Sequence, residues 1–218
     1  RGTQRHSFSG CIVHLRSSNL MDLDQLFNHI PNAERKPKLE AIAQSFSKES
    51  ELKVNFICTH NSRRSHFSEI LFRTAAKYYG LKNVLTFSGG TERTALFPEV
   101  AESFKRHGFR VIPLEAHNQR AYKIFIENLE KVDTTPVLFS KKYDDESNAQ
   151  ENYHAIMVCN SAHESCPVVH GSKQRHSLMF ADPKHSDGGS NQKDVYDKTL
   201  IMIASELGFV ARKVLELI

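Results

Sequence analysis

The sequence predicts an α/β fold: a three-layer sandwich around a mainly parallel, roughly four-stranded sheet, preceded by an N-terminal helical extension. From residue 53 onward, β-favouring and helical segments alternate, which implies parallel strands joined by crossover helices. Cys58, Ser88, Cys159 and Asp182 all fall near predicted strand ends, and ligands bind at the carboxyl edge of such sheets. A length of 218 residues, 39% of them hydrophobic, suits one domain with a sizeable core.

Taken in order, DLDQLFNHI (22–30) and KPKLEAIAQSF (36–46) read as two short helices; the second brings Leu39, Ile42, Ala43 and Phe46 to one face. KVNFI (53–57) is a strand, SHFSEILFRTAAKYYG (65–80) a helix closed by Gly80, and VLTFS (84–88) a strand. PEVAESFKRHG (98–108) is a helix with Pro98 in its first turn and Gly108 at its end. YKIFI (122–126), YHAIMV (153–158) and SLMF (177–180) are further strands, and 195–218 is a long closing helix. Between them, 128–152 is a polar insertion with room for one small hairpin. The domain plan is an arm at 1–20, a helical extension at 21–50 and an α/β domain at 53–218 that carries the 128–152 insertion.

Composition narrows the function. Net charge is +4, and Arg1, Arg5 and Arg16, in a segment with no acid, supply three of those charges. The remainder is close to neutral, which argues against nucleic acid as the main partner. Residues 1–20 lack a Met before Met21 and read as a tag or disordered arm, so Cys11 is set aside. No apolar run is long enough to cross a bilayer, and no secretory signal is evident. The chain is expected to be a cytoplasmic monomer. Four cysteines are too few for a disulfide scaffold, leaving redox, nucleophilic or metal chemistry.

The segment CTHNSRRS (58–65) joins a predicted strand to a predicted helix. A tight loop there turns backbone N–H groups inward and aims a helix N-terminus at one point, making a cradle for a tetrahedral oxyanion. Thr59, His60, Asn61, Ser62, Arg63, Arg64 and Ser65 line it, and Cys58 sits at its floor, where positive dipoles favour the reactive thiolate. Arg64 can grip two oxyanion oxygens with its planar fork. Ser65 can donate to the sulfur, and Asn61 can pin the loop. The bland alternative is a buried strand-end cysteine followed by two solvated arginines. Cations at a helix start are unfavourable, however, and an anion supplies a reason for them.

NFICTHNSRRS resembles the phosphate-binding loop of the low-molecular-weight protein tyrosine phosphatase superfamily. SGGTE (88–92) resembles the Ser-Ala-Gly-Thr-Glu stretch after that family's second strand, and ADPKHSDG (181–188) its Asp-Pro loop. The resemblance runs from about residue 53 to 218. It implies that Cys58 is the nucleophile, Arg64 the oxyanion clamp and Asp182 the general acid. His60 replaces a glycine of the phosphatases, although some reductase-like members carry His there. Arg63 stands where many members have Cys or a small residue, and its direction is open. Asp182 could also be an ordinary turn acid, since Asp-Pro is a common turn signal.

MVCNSAHESCPVV (157–169) places Cys159 and Cys166 seven residues apart. The thioredoxin-coupled arsenate reductases share the phosphatase fold and resemble this chain in two cysteines at this place and in the Cys-Pro ending. That resemblance implies a three-cysteine relay from Cys58 to Cys159 to Cys166, with thioredoxin as external reductant and no bound cofactor. Three other readings compete: buried small hydrophobes, a zinc site with His163 or His170, or spectators in a phosphatase that needs only Cys58. His107, His117 and His154 read as surface or cap residues, and no metal site is expected. Lys184 and His185 follow the Asp-Pro pair where the phosphatases usually place tyrosines. The resulting expectation is arsenate reduction. Phosphotyrosine hydrolysis is the alternative, and a non-catalytic oxyanion or redox sensor a lesser one.

Overall fold

Apolar residues at helical spacing close two short helices ahead of the sheet, Leu23–Phe27 (α1) and Lys36–Phe46 (α2). The computed structural model describes residues 23–165 and 168–218; the arm at 1–20, Cys11 and Cys166 lie outside them. Helix α2 buries the face read from the sequence, Leu39, Ile42, Ala43 and Phe46. Helix α1 is shorter than the stretch 22–30, because Ile30 is 90% exposed and no packing extends the helix past Phe27.

The main elements follow as Leu52–Cys58 (β1), Arg64–Tyr78 (α3), Val84–Gly90 (β2), Pro98–Arg106 (α4), Arg110–Ala116 (β3), Gln119–Phe125 (β4), Tyr153–Met157 (β5), Asn160–Ser165 (α5), Ser172–Ser177 (β6) and Gln192–Leu217 (α6). Four strands form one sheet in the order β2-β1-β5-β6, and every pairing is parallel. The central strands β1 and β5 are buried almost throughout, as strands covered on both faces must be. Helix α3 packs on β1 and β2, and the long α6 packs on α3 and gathers α1, α2 and α4 against itself. Gly208 lets α1 approach closely: a Cβ there would lie 2.8 Å from the Phe27 carbonyl oxygen. Arg35, just ahead of α2, pairs with Glu206 of α6 and donates to the Met179 carbonyl at 3.0 Å.

Three expectations need correction. YKIFI does form a strand, but β4 pairs antiparallel with β3 in a separate two-stranded sheet. Strand β3 carries Pro113 and charged Arg110 and Glu115, which hide it from an apolar pattern. His117 and Asn118, both at positive φ (53° and 56°), make the tight reversal between them. The fourth sheet strand is SKQRHS (172–177) rather than SLMF: an edge strand pairs through its backbone and needs few apolar side chains. Its ladder still runs on through Leu178 N–H to the Met157 carbonyl (2.9 Å) and Phe180 N–H to that of Val158 (3.1 Å), carrying the chain to Asp182. The small hairpin looked for within 128–152 does not form. That segment has one 3-10 turn, Val132–Thr134, and isolated bridges that tie it to β4 (Tyr122–Leu138) and to the end of β2 (Gly90–Lys142).

Candidate active site

Strand β1 ends at Cys58 and α3 begins at Arg64, so the intervening loop carries the chain between them over the carboxyl edge of the sheet. The first-turn N–H groups of α3 have no intrahelical acceptors and open beside the cysteine. Cys58 is 4% exposed. Its sulfur accepts from the Asn61 backbone N–H at 3.1 Å and lies 3.1 Å from Ser65 Oγ.

Asn61 holds the loop's curvature. It sits at φ 43°, which a short polar side chain tolerates. Its Nδ2 donates to Ser65 Oγ (2.9 Å), and its Oδ1 accepts from the Lys141 backbone N–H (2.8 Å). Its carbonyl accepts from His66 Nε2 at 2.9 Å, and Ser88 Oγ lies 3.2 Å from His66 Nδ1. A carbonyl can only accept, so His66 is the Nε2–H tautomer and Ser88 donates to Nδ1. Burial, and then the charge of Lys141, push the imidazole down to about 3 against the pull of the Asn61 carbonyl, so the ring is neutral.

The SGGTE stretch closes the loop from the side. Thr91 N–H donates to the Cys58 carbonyl (3.1 Å) and Glu92 N–H to that of Thr59 (2.8 Å). Gly90 is required there: a Cβ would stand 2.3 Å from the Glu92 carbonyl oxygen and 2.8 Å from the Asn61 nitrogen. Thr94 Oγ1 and Ser140 Oγ both donate to the His60 carbonyl, at 2.9 and 3.1 Å. The His60 ring faces outward, 3.7 Å from a Glu92 oxygen. Ser62 is buried, and its carbonyl accepts from Phe97 N–H at 3.0 Å.

The two arginines diverge. Arg64 reaches across to the Asp-Pro loop, donating to the Phe180 carbonyl (3.0 Å) and to Asp182 Oδ2 (2.5 Å). Asp182 also caps the short 3-10 turn Pro183–Ser186 by accepting from Lys184 N–H at 3.1 Å. Arg63 turns away, which settles its direction. It pairs with Asp187, donates to Tyr196 Oη at 2.6 Å and lies 4.3 Å over the Phe97 ring. Tyr196 in turn donates to Asp187 Oδ1 (2.6 Å); burial, and then that bond, raise its phenol, so it stays protonated. Arg63 thus anchors the far end of the Asp-Pro loop. The recess lined by Cys58, Thr59, His60, Ser62, both arginines and Asp182 is about 10 Å³, room for about one water.

Cys159 lies two residues past the end of β5, beside β1 in the sheet, and is 2% exposed. Its sulfur is 3.4 Å from Thr59 Oγ1 and accepts from Ala162 N–H at 3.4 Å. The structure therefore brings Cys58, Arg64, Asp182, the 59–65 loop and Cys159 to one edge, while Cys166 falls outside the described residues. Sequence reasoning missed His66, Lys141, Asp187 and Tyr196. Each works through a partner distant in the chain or packed one turn away, and no local spacing marks it. His154 corrects an expectation: it is buried, its Nδ1 3.1 Å from His176 Nε2, with the rings stacked.

The sequence profile of the low molecular weight phosphotyrosine protein phosphatases matches residues 53–212. No curated protein matches the chain. Among solved structures, a low molecular weight protein tyrosine phosphatase from Bacillus subtilis is 19% identical over 76% of this chain and 98% of its own, with a TM-score of 0.50. An arsenate reductase from Archaeoglobus fulgidus is 19% identical over 73% of this chain and 98% of its own (TM-score 0.45). A thioredoxin-dependent arsenate reductase from Corynebacterium glutamicum is 20% identical over 78% and 67% respectively (TM-score 0.39). At these identities the likeness speaks to fold alone. Among the described residues, no helix is long and apolar enough to cross a membrane.

Proposed function

The chain belongs to the low molecular weight phosphotyrosine protein phosphatase family, and from that premise we propose that it reduces arsenate to arsenite by a three-cysteine relay regenerated by thioredoxin. The observation that carries this reading is the place of Cys159: buried, just past the end of the strand that pairs with β1, with its sulfur against Thr59 of the cradle loop. Hydrolysis of a phosphate ester uses no such thiol.

In the proposed sequence, arsenate displaces Arg64 from Asp182 and is gripped by the guanidinium and the loop N–H groups. The Cys58 thiolate attacks the arsenic of the singly protonated anion, the bond from arsenic to its hydroxyl breaks, and that hydroxyl leaves as water with the proton of Asp182. The Cys159 thiolate then attacks the Cys58 sulfur; the sulfur–arsenic bond breaks, its electron pair stays with arsenic, and arsenite departs. Cys166 attacks Cys159 and frees Cys58 as thiolate, because exchange proceeds by thiolate attack on a disulfide sulfur. Thioredoxin's dithiol reduces the Cys159–Cys166 disulfide, and no bound cofactor takes part. The relay belongs to a reducing compartment such as the cytoplasm.

A second reading, phosphotyrosine hydrolysis through a cysteinyl-phosphate, is favoured by the family profile and needs only Cys58, Arg64 and Asp182. Arsenite release with thioredoxin, thioredoxin reductase and NADPH, run beside hydrolysis of an aryl phosphate, tests the two. Ester hydrolysis without thioredoxin-dependent arsenite release would reverse the order.

A further inference from the structure

The proposed reaction leaves a second recess without a use. Between the outer edge of β2 and the segment that follows β4 lies a cavity of about 370 Å³, at the small end of ligand pockets, which run about 300–1,000 Å³. Leu85, Phe87 and Val137 give it an apolar side; Glu69, Arg73, Lys77, Glu130 and Lys141 give it a charged one.

Buried charges are ordinarily paired. Glu130 obeys, accepting from Arg73 Nε at 3.1 Å. Lys141 does not. It is 4% exposed, its ammonium lies 4.5 Å from the Phe139 ring centroid, and among the described residues it forms no ion pair. Asp145 feels the Lys141 charge but lies outside ion-pair distance of it, and its Oδ1 accepts from Ser147 N–H and Oγ. On the same wall, Glu69 Oε2, Arg73 Nη1 and Thr86 Oγ1 are buried without a hydrogen-bond partner. Glu69 and Glu130 both flank Arg73, at 4.0 and 3.1 Å, and Lys77 is exposed to solvent, so Lys141 is the buried cation of this wall without a carboxylate, which matches a monoanion better than a dianionic phosphate.

We propose that this cavity binds a small amphipathic carboxylate, its head group on Lys141 and its apolar body against Leu85, Phe87 and Val137, and that the Cys58 loop reads its occupancy. Lys141 provides the link. Its N–H donates to Asn61 Oδ1 at 2.8 Å, its carbonyl accepts from Gly90 N–H at 2.9 Å, and Asn61 in turn donates to the Cys58 sulfur. A ligand that shifts Lys141 shifts the asparagine that sets the cradle. Oxyanion affinity at the cradle and carboxylate affinity at this cavity are therefore coupled, and by linkage the coupling is reciprocal.

Titration calorimetry of the full chain tests this without turnover, so failure of the reductase reading does not touch it. The probes are 3-phenylpropionate and its neutral amide, with saturating inorganic phosphate on the cradle. The expected result is one saturable carboxylate site at millimolar concentration or better, with the amide about tenfold weaker, the worth of one charged contact. Lys141→Met should weaken the acid by a similar factor. Leu85→Glu, at a position 45% exposed and so tolerant of change, should do the same by placing a like charge at the mouth. Backbone amide resonances of Asn61 should shift on titration, and phosphate affinity should change. No saturable binding, equal binding of the amide, or undiminished binding in both variants overturns the site. Binding that leaves Asn61 and phosphate affinity unmoved overturns the coupling.

Discussion

Two strand-to-helix turns lie side by side at the carboxyl edge of the sheet, and each opens on a buried cysteine. β1 runs through Cys58 into α3; its parallel neighbour β5 runs through Cys159 into α5. Both use the same backbone device, an N–H three residues on that donates to the sulfur: Asn61 at 3.1 Å, Ala162 at 3.4 Å. Their surroundings differ. Around Cys58, the side chains of Asn61, Ser65, His66, Ser88 and Ser140 hydrogen-bond one another or the loop's carbonyls and so frame it. Cys159 has, beyond its own turn, the Thr59 hydroxyl at 3.4 Å, and it opens a helix of six residues. The contrast suits the two proposed chemistries. A group that stabilises a charged transition state gains from fixed dipoles, whereas a thiol that attacks one sulfur and is then attacked by another must move.

The largest effect should come from exchanging the cysteines. Cys58→Ser is expected to remove both arsenate reduction and aryl phosphate hydrolysis, because serine without an adjacent base is a poor nucleophile. Cys159→Ser should stop arsenite release yet spare ester hydrolysis in reduced protein. If both activities survive Cys58→Ser, or if Cys159→Ser keeps full arsenate turnover, the division of labour between the two turns is wrong. Mass spectrometry of arsenate-treated Cys166→Ser protein should show a Cys58–Cys159 disulfide.

Next in size is Asp182→Asn, which should lower ester hydrolysis by about two to four powers of ten. The loss should shrink for leaving groups that need no proton, measured across a series of aryl phosphates; a uniform loss would reduce Asp182 to a partner of Arg64.

The frame itself is tested by Asn61→Ala. It strands the buried Lys141 N–H, at a cost of about 1–3 kcal/mol, and leaves Ser65 Oγ with the Cys58 sulfur alone. The denaturation midpoint should fall while the cysteine count stays unchanged. The matching change in the second turn, Ala162→Gly, keeps its N–H donor and should move the midpoint less.

A smaller, pH-dependent effect sharpens the same contrast. His66 belongs to the first frame, and His176 stacks with His154 near the start of β5, against Phe46; burial lowers His66 to about 3 and His176 to about 4. Unfolded histidines titrate near about 6.5. Below that value the unfolded chain binds more protons than the folded one, so this stability is fully present above about 6.5 and is lost as pH falls through 3 to 4. Denaturation midpoints between pH 6.5 and 4 should therefore fall with acid, and His66→Gln should flatten the slope by about one proton. An unchanged slope would mean that the ring is not held neutral by the frame.

Much of the first turn was legible. The order strand, CTHNSRRS, helix, together with SGGTE and ADPKHSDG, points to one edge because parallel strands deliver their ends there. The Asn61 and Ser65 contacts follow from spacing within a single loop. Tyr196 and Asp187 were not legible as partners of Arg63, because their only tie to it is spatial. Lys141 was hidden more deeply: it reads as one of two adjacent lysines in a polar insertion, yet its backbone completes the cradle and its side chain is buried.

The sequence by itself determined the alternation of strands and helices, the loop that houses Cys58, and the cysteine that follows β5, since periodicity and turn chemistry act over a few residues. Tertiary structure alone decided which arginine faces Asp182, that β3 and β4 leave the main sheet, and that the insertion closes the Cys58 loop. Those outcomes depend on which distant surfaces meet. Backbone edges and charged side chains find partners by proximity in space, and proximity between residues 61 and 141 is written in no local pattern.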